Sequence, residues 1–299
     1  MTVPRPGDLA ELVRLPAVLS VPGDTLAGAA ASAGWRGAAL GASSALQYLG
    51  GMALNDWADR EVDAVERPGR PIPSGRVPAP LALAVGAGLT AAGVGVAWRL
   101  GGRRALAVAG PLAAAVWAYD LALKDTPAGP AAMTACRALD VLLGASVGGP
   151  AGLLRAVPAA ALVGAHTATV TTVSRHEVSG ADPGLLRRAA AATAVVGAAA
   201  AWLAWARRPG EGLRGARTRR LVGGGLAGAY TATVGRGWLQ AAREGGDAAA
   251  VQRAVGGGVV GVTALQAALI AGRGGVLPAM AVAAALPVAR ILARRRSVT

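Results

Sequence analysis

Phenylalanine is absent from this 299-residue sequence, and lysine, asparagine and cysteine occur once each, as Lys124, Asn55 and Cys136. A single cysteine forms no internal disulfide, which excludes a disulfide-stapled secreted domain. Charged residues make up only 15% of the chain, against about 25% in soluble proteins. A hydrophobic share of 54% excludes a disordered chain, and no Gly-X-Y period supports a collagen-like one. Alanine, glycine, arginine and proline dominate instead, as a GC-rich genome would dictate. Against that background Asn55 and Lys124 are conspicuous.

The net charge of +14 invites a nucleic-acid reading. The arginines, however, sit at the ends of apolar runs, where they meet headgroups and water. No basic stripe with interleaved aromatics is present, so no nucleic-acid partner is expected. The partners expected are membrane lipids, and nothing calls for a protein partner. Met1 to Ala10 carries no cleavable signal pattern, so the first apolar run would act as an uncleaved anchor.

Apolar runs recur at 12–32, 37–54, 79–98, 104–121, 131–150, 156–174, 189–206, 219–239, 254–271 and 275–293. Each is long enough to cross about 30 Å of hydrocarbon as a helix. They are continuous rather than alternating, which excludes a β-barrel. The expectation is an all-α polytopic membrane bundle of nine or ten helices, as one domain over 1–299. Gly223, Gly224 and Gly228 exemplify small-residue spacing that permits close helix packing, a weak signal in so glycine-rich a chain.

Segments 55–78 and 174–188 are the distinctive connections. An even number of spans separates them, so they open on one side. That side carries Arg60, Arg67, Arg70, Arg76, Lys124, Arg175, Arg187 and Arg188. The opposite side carries Arg99, Arg103, Arg104, Arg207, Arg208, Arg214, Arg217, Arg219 and Arg220, so the positive-inside count is nearly balanced. The first side is read as cytoplasmic, in a bacterial inner (cell) membrane.

Five of the sixteen acidic residues fall within 56–66. Asp56, Asp59 and Asp63 are spaced i, i+3, i+7 and lie within about 60° of one another around a helix. Like charges stacked this way repel unless a cation sits between them. A hard divalent cation with oxygen ligands meets that need, and Mg²⁺ takes one or two carboxylates plus water and phosphate oxygens. Asn55 adds a neutral carbonyl or amide at the same helix start. In the following stretch, prolines 68, 71 and 73 suggest a stiff, extended path that lets Arg67 and Arg70 present forked donors to phosphate oxygens.

Asn55-Asp56-x-x-Asp59-x-x-x-Asp63, followed by Arg67-Pro68 and Arg70-Pro71-Ile72-Pro73-Ser74-Gly75, resembles the first signature of the UbiA superfamily of intramembrane prenyltransferases. Arg14-Leu15-Pro16 resembles that family's N-terminal Arg–Pro element. Trp117-Ala118-Tyr119-Asp120 with Lys124 resembles its Tyr and Lys at the end of span 4. The resemblance implies about nine helices around a lipid-facing cavity and Mg²⁺-dependent transfer of a prenyl group from a prenyl diphosphate to a hydrophobic acceptor. It implies Asn55, Asp56, Asp59 and Asp63 as the reacting site, with Arg67, Arg70, Lys124 and Arg175 on the diphosphate.

The family's second aspartate motif is degenerate here. Glu177 and Asp182 are i, i+5, about 140° apart on a helix. Only Glu177 is therefore a metal-ligand candidate beside Asp56, Asp59 and Asp63. Arg175 and His176 can bind diphosphate directly. A non-catalytic protein that binds a lipid diphosphate, as a carrier or export component, is the alternative.

Arg14, Tyr119, Arg137, Asp140 and His176 are cavity candidates. Arg137 and Asp140 lie inside a span, where charges are expensive and pair; their i, i+3 spacing lets them pair with each other. His166 is read as an interhelical hydrogen-bonder. Trp57, Trp117 and Trp238 could line an acceptor pocket. The Arg137 stretch with Ser174-Arg175-His176-Glu177 resembles the EboC-type branch of the superfamily more than its quinone-making members. Arg137, Asp140 and His166 at depth also fit an ion-coupled transporter, but no inverted repeat supports one.

Overall fold

The computed structural model describes residues 4–15, 18, 21–32, 35–206 and 210–284, and every regular element among them is helical. Ten helices run in order: α1 (Pro6–Leu12), α2 (Pro22–Ala31), α3 (Gly41–Ala58), α4 (Arg60–Glu66), α5 (Ala79–Ala118), α6 (Gly129–Ala145), α7 (Gly149–Ser174), α8 (Pro183–Trp205), α9 (Leu213–Arg243) and α10 (Ala248–Ala271). A further helical turn or two covers 276–284.

Four helical stretches among the described residues are long and apolar enough to cross a membrane: Ala79–Leu123, Gly129–Ser174, Pro183–Trp205 and Ala248–Ala271. The first two hold 45 and 46 residues, well over the ~20 that one crossing requires. Each is broken near its middle by a glycine with positive φ, Gly102 (62°) and Gly149 (65°). Gly102 falls between the expected spans 79–98 and 104–121, whereas Gly149 falls at the end of the expected span 131–150 and α7 starts there, ahead of the expected 156. Only glycine takes this backbone without steric penalty.

The expected first span, 12–32, is not one helix. Helix α1 ends at Leu12, Arg14 adopts φ 49°, and helix resumes at Pro22. A proline at the first helical position has no N–H to leave unpaired, so it starts helices rather than continues them. The expected last span, 275–293, is described only to residue 284.

Helices α2 and α6 meet backbone to backbone. A Cβ on Gly28 would lie 1.8 Å from the Val141 carbonyl oxygen, and one on Gly144 1.9 Å from that of Thr25. Such contact is open only to residues without side chains. A second packing centre joins α7 to α10, with Leu186, Tyr230, Trp238 and Leu265 fully buried in it. Trp238 donates to Thr193 Oγ1 at 3.2 Å, and His166 Nδ1 pairs with the Tyr230 hydroxyl at 2.9 Å across α7 and α9.

The loops carrying the motifs gather at one end, as the parity of spans requires. Lys124, just after α5, forms an ion pair with Asp59 between α3 and α4. Arg175 Nη1, after α7, donates to the Thr126 carbonyl at 2.6 Å. The Ala181 amide donates to the Gly246 carbonyl, which ties in the α9–α10 turn. At the opposite end Arg219 does not face water. It is buried, pairs with Glu211 at 2.5 Å and donates to the last carbonyls of α8, those of Ala204 and Ala206. Cationic donors complement the negative end of a helix.

Candidate active site

Helix α3 continues almost unbroken into α4: the Asp59 amide donates to Asn55 O and the Asp63 amide to Asp59 O. That ladder keeps Asp56, Asp59 and Asp63 on one side, as their spacing requires. Asp56 and Asp63 are buried. They share one guanidinium: Arg70 Nη1 lies 2.9 Å from Asp56 Oδ1 and 2.9 Å from Asp63 Oδ2. Arg14 adds a second hold, 3.0 Å from Asp56 Oδ1 and 3.3 Å from Asn55 Oδ1. Its positive φ is an uncommon backbone state for a residue with a side chain, and it sits where functional strain is expected.

Arg70 reaches this position because segment 67–77 is a chain of tight turns, not the extended path inferred from its prolines. The Arg70 amide bonds to Arg67 O, Gly75 to Ile72 O and Val77 to Pro71 O. A φ near −65° suits the second position of a turn as well as it suits an extended strand. Arg67 is exposed and stands 4.0 Å from Asp63. Arg76 clamps the loop onto α1, donating to Asp8 at 2.8 Å and to Glu11 at 2.7 and 3.0 Å. Its hydrogen bond holds the Asp8 carboxyl below the usual carboxylate range.

Beside this cluster opens a cavity of about 550 Å³. Its walls come from α3, α5, α6, α7 and α10 and are mostly apolar, with Leu112, Val116, Val170, Val255 and Val262 among them. Arg14, Asn55, Tyr119, Asp120 and Glu177 lie at one pole; Ser44, Gln47, Tyr48, Arg137, Asp140 and His166 are among its other polar groups, with Thr167, Thr171 and Ser174. Asn55 Nδ2 donates to Asp120 Oδ1 at 3.1 Å, joining α3 to the π-helical turn Tyr119–Leu123. Burial pushes the Glu177 carboxyl above the usual range, and the Arg67 charge partly offsets it.

Several expectations change. Arg137 does not pair with Asp140. Its Nε lies 3.0 Å from Asp24 on α2, and Ser44 donates to Asp140 Oδ2 at 2.7 Å. The backbone contact of α2 and α6 puts Asp24 within reach, which i, i+3 spacing cannot reveal. Asp182 accepts from the Leu185 amide and caps α8, so Glu177 stands alone as the acid of its segment. Arg175 and His176 sit in the turn after α7, outside the cavity lining. Trp57, Trp117 and Trp238 do not line the cavity either. Trp57 lies under the Arg60 guanidinium and Trp117 donates to Thr90 Oγ1.

Asp24, Ser44, Gln47, Tyr48 and Asp120 were not singled out as site residues from the sequence. The signal lay on α3: Ser44, Gln47, Tyr48, Gly51, Met52 and Asn55 form one helical stripe, and all six line the cavity.

Among the described residues no three Asp, Glu, His or Cys side chains converge on one point. Two carboxylates do, Asp56 and Asp63, and a cationic nitrogen lies between them. That donor pair fits Mg²⁺, which needs one or two carboxylates and takes its other oxygens from water and phosphate.

A family model described as the UbiA prenyltransferase family matches residues 17–205. Over 84 residues the chain is 45% identical to the digeranylgeranylglyceryl phosphate synthase of Methanopyrus kandleri, covering 28% of this chain and 31% of that one. Over 69 residues it is 44% identical to the 33 kDa chain of bacteriochlorophyll synthase of Rhodobacter capsulatus, covering 23% and 22%. The matched stretch thus spans less than a third of either relative. Among solved structures, a UbiA homologue from Archaeoglobus fulgidus, bound to DMAPP and Mg²⁺, superposes with a TM-score of 0.57 at 14% identity, over 86% of this chain and 99% of that one. At that identity the likeness establishes the fold.

Proposed function

The chain belongs to the UbiA prenyltransferase family, and from that premise we propose that it transfers a prenyl group from a prenyl diphosphate to an aromatic or lipid-like acceptor inside a membrane, with Mg²⁺ as cofactor. In this reading residues 1–299 form one domain with nine or ten spans, in a bacterial inner membrane. The enzyme is then a transferase of alkyl groups other than methyl. The observation that carries it is one cavity, apolar along its walls, whose mouth adjoins carboxylates held by arginines. An apolar chain and a charged diphosphate require those two surroundings side by side.

Asp56, Asp59 and Asp63, with Asn55 beside them and Glu177 across the mouth, would hold the metal. Bound Mg²⁺ neutralises the leaving diphosphate and favours ionisation of the allylic C–O bond. Arg67, Arg70, Lys124 and Arg175 offer charge-assisted N–H bonds to phosphate oxygens. Arg14 holds Asn55 and Asp56 in place, and Asn55 in turn holds Asp120. The apolar walls keep water from a developing carbocation.

The test is release of diphosphate by the purified chain from labelled prenyl diphosphates of graded length, with Mg²⁺ and a panel of acceptors. The expected result is Mg²⁺-dependent release that falls at least a hundredfold in Asp56→Ala. No release, or release unchanged in that variant, overturns the reading. One observation favours a second reading, binding without chemistry: Asp182 caps a helix, so the segment after α7 supplies a single acid. Mg²⁺-dependent prenyl diphosphate binding with no turnover on any acceptor would select it.

A further inference from the structure

The two ends of the bundle carry similar numbers of basic residues but very different numbers of acids. At the end that holds the candidate active site, segments 4–14, 55–78, 120–128, 174–188 and 240–253 contain twelve lysines and arginines and thirteen carboxylates. At the other end, segments 35–40, 98–105, 146–156, 210–221 and 271–278 contain ten arginines and one carboxylate, Glu211. These segments meet: a Cβ on Gly275 would lie 2.5 Å from Trp35, and one on Gly101 3.3 Å from Val147. The Glu211 carboxylate is taken by Arg219. Cations gathered without counter-ions repel one another until an anion joins them.

Three of these arginines lie along the first two turns of α7. Arg104 rests against the start of that helix, its Nη1 3.4 Å from where a Cβ on Gly149 would stand. Arg155 is six residues further on, about 9 Å along the axis. Arg273, in the turn after α10, donates from Nη2 to the Arg155 carbonyl at 3.4 Å. Its stem shares a small crevice with Ala27, Ala159 and Leu203, which holds the guanidinium beside its neighbours. Burial, then the charges of Arg155 and Arg219, push that guanidinium below the usual arginine range. None of the three forms an ion pair with a carboxylate among the described residues.

The surroundings select an amphiphile. Leu154 and Val157, on either side of Arg155, are exposed, as is Leu277 beyond Arg273. Trp98, Trp202 and Trp205 are exposed at the same end, and the Arg220 guanidinium lies 5.8 Å over the Trp205 ring. Exposed tryptophans mark the depth of lipid headgroups, and arginine at that depth presents forked donors to phosphate oxygens. A soluble anion would meet the arginines alone; a phospholipid meets the apolar side chains as well.

We propose that Arg104, Arg155 and Arg273 form a seat for the phosphate of an anionic phospholipid, whose acyl chains run down the outer face of α7 past Val157. A zwitterionic headgroup brings its own ammonium and so offers the cluster no net charge. The seat is independent of prenyl transfer, since it lies at the end of the bundle away from the acidic cluster.

The experiment titrates the delipidated full chain in detergent with phosphatidylglycerol, with phosphatidylcholine of the same acyl chains and with glycerol 3-phosphate. Bound molecules are counted by native mass spectrometry, with thermal unfolding of every variant as the folding control. Phosphatidylglycerol should bind about tenfold tighter than phosphatidylcholine, and glycerol 3-phosphate far more weakly than either. Arg104→Gln, Arg155→Gln and Arg273→Gln together should erase the preference. Arg187→Gln with Arg188→Gln, both exposed at the active-site end, should keep it. Equal binding of the two lipids, glycerol 3-phosphate binding as tight as phosphatidylglycerol, a preference that survives the triple variant, or one lost equally in both sets of variants overturns the seat. If the triple variant fails to fold, Arg104→Gln with Arg155→Gln, both exposed, decides. A several-fold loss of preference there supports the seat, and an unchanged preference overturns it.

Discussion

Arg137 Nε lies 3.0 Å from Asp24 Oδ2, so the charge inside α6 is balanced from α2 rather than from Asp140 three residues along its own helix. Gln266 of α10 donates to the other oxygen of Asp24 at 2.7 Å, so three helices meet at one fully buried carboxylate. Breaking a buried pair by removing one partner costs about 3–5 kcal/mol. Arg137 retains some exposure, so Asp24→Ala is expected to lose about 3 kcal/mol, read as a lowered thermal unfolding midpoint in detergent. Asp24→Leu with Arg137→Met removes both charges and should recover much of that loss.

Arg70 stands where a metal would, between Asp56 and Asp63 at 2.9 Å from each. A divalent cation and this guanidinium therefore compete for the same oxygens until a diphosphate offers Arg70 other acceptors. Arg70→Ala should bind Mn²⁺ alone more tightly than the unaltered chain, seen by electron paramagnetic resonance. The same variant should lose 10- to 100-fold in kcat/KM for the prenyl diphosphate, the range of one charge-assisted contact of about 1.5–3 kcal/mol. Tighter metal binding with weaker catalysis separates this from loss of folding.

The first acidic signature was legible because rare residue types and helical spacing coincide in it. Asn55, Asp56, Asp59 and Asp63 do share a side, and Asn55 reaches the cavity. The gathering of 55–78 and 174–188 at one end followed from counting spans. Arg137 with Asp24, and Asn55 with Asp120, were not legible, since 113 and 65 residues separate the partners and only helix packing joins them. The path of 67–77 was misread because proline's φ fits both a turn and an extended chain. Glycine spacing was similarly ambiguous: a Cβ on Gly223 would lie 2.9 Å from Ala204 Cβ, yet Gly228 meets nothing within 4 Å.

That contrast can be measured. Gly144→Ala places a methyl 1.9 Å from the Thr25 carbonyl oxygen, a backbone atom that yields only if α2 and α6 separate. Their separation would also pull Asp24 from Arg137, so the loss should exceed the usual 1–3 kcal/mol of overpacking. Gly228→Ala adds its methyl in open space within a helix and should gain about 0.5–1 kcal/mol from propensity alone. Unfolding midpoints of the two variants should fall on opposite sides of the unaltered chain.

The clamp of α1 onto the loop after α4 carries a pH dependence with a definite sign. Arg76 holds the Asp8 carboxyl below its ordinary value, chiefly by its hydrogen bond. A carboxyl whose folded value is depressed contributes its stabilisation above the unfolded pKa, about 3.9. The contribution disappears as pH falls from there through the folded value. Arg76 stays protonated throughout, so Asp8 sets the transition. Protection of residues 5–14 against amide hydrogen exchange, taken relative to the unfolded-chain rate at each pH, should therefore be high at pH 6 and fall below about pH 4. In Asp8→Asn the exchange should be faster at pH 6 and show less of that change, and Arg14, the next support of Asn55 and Asp56, should become the first site residue to lose its position.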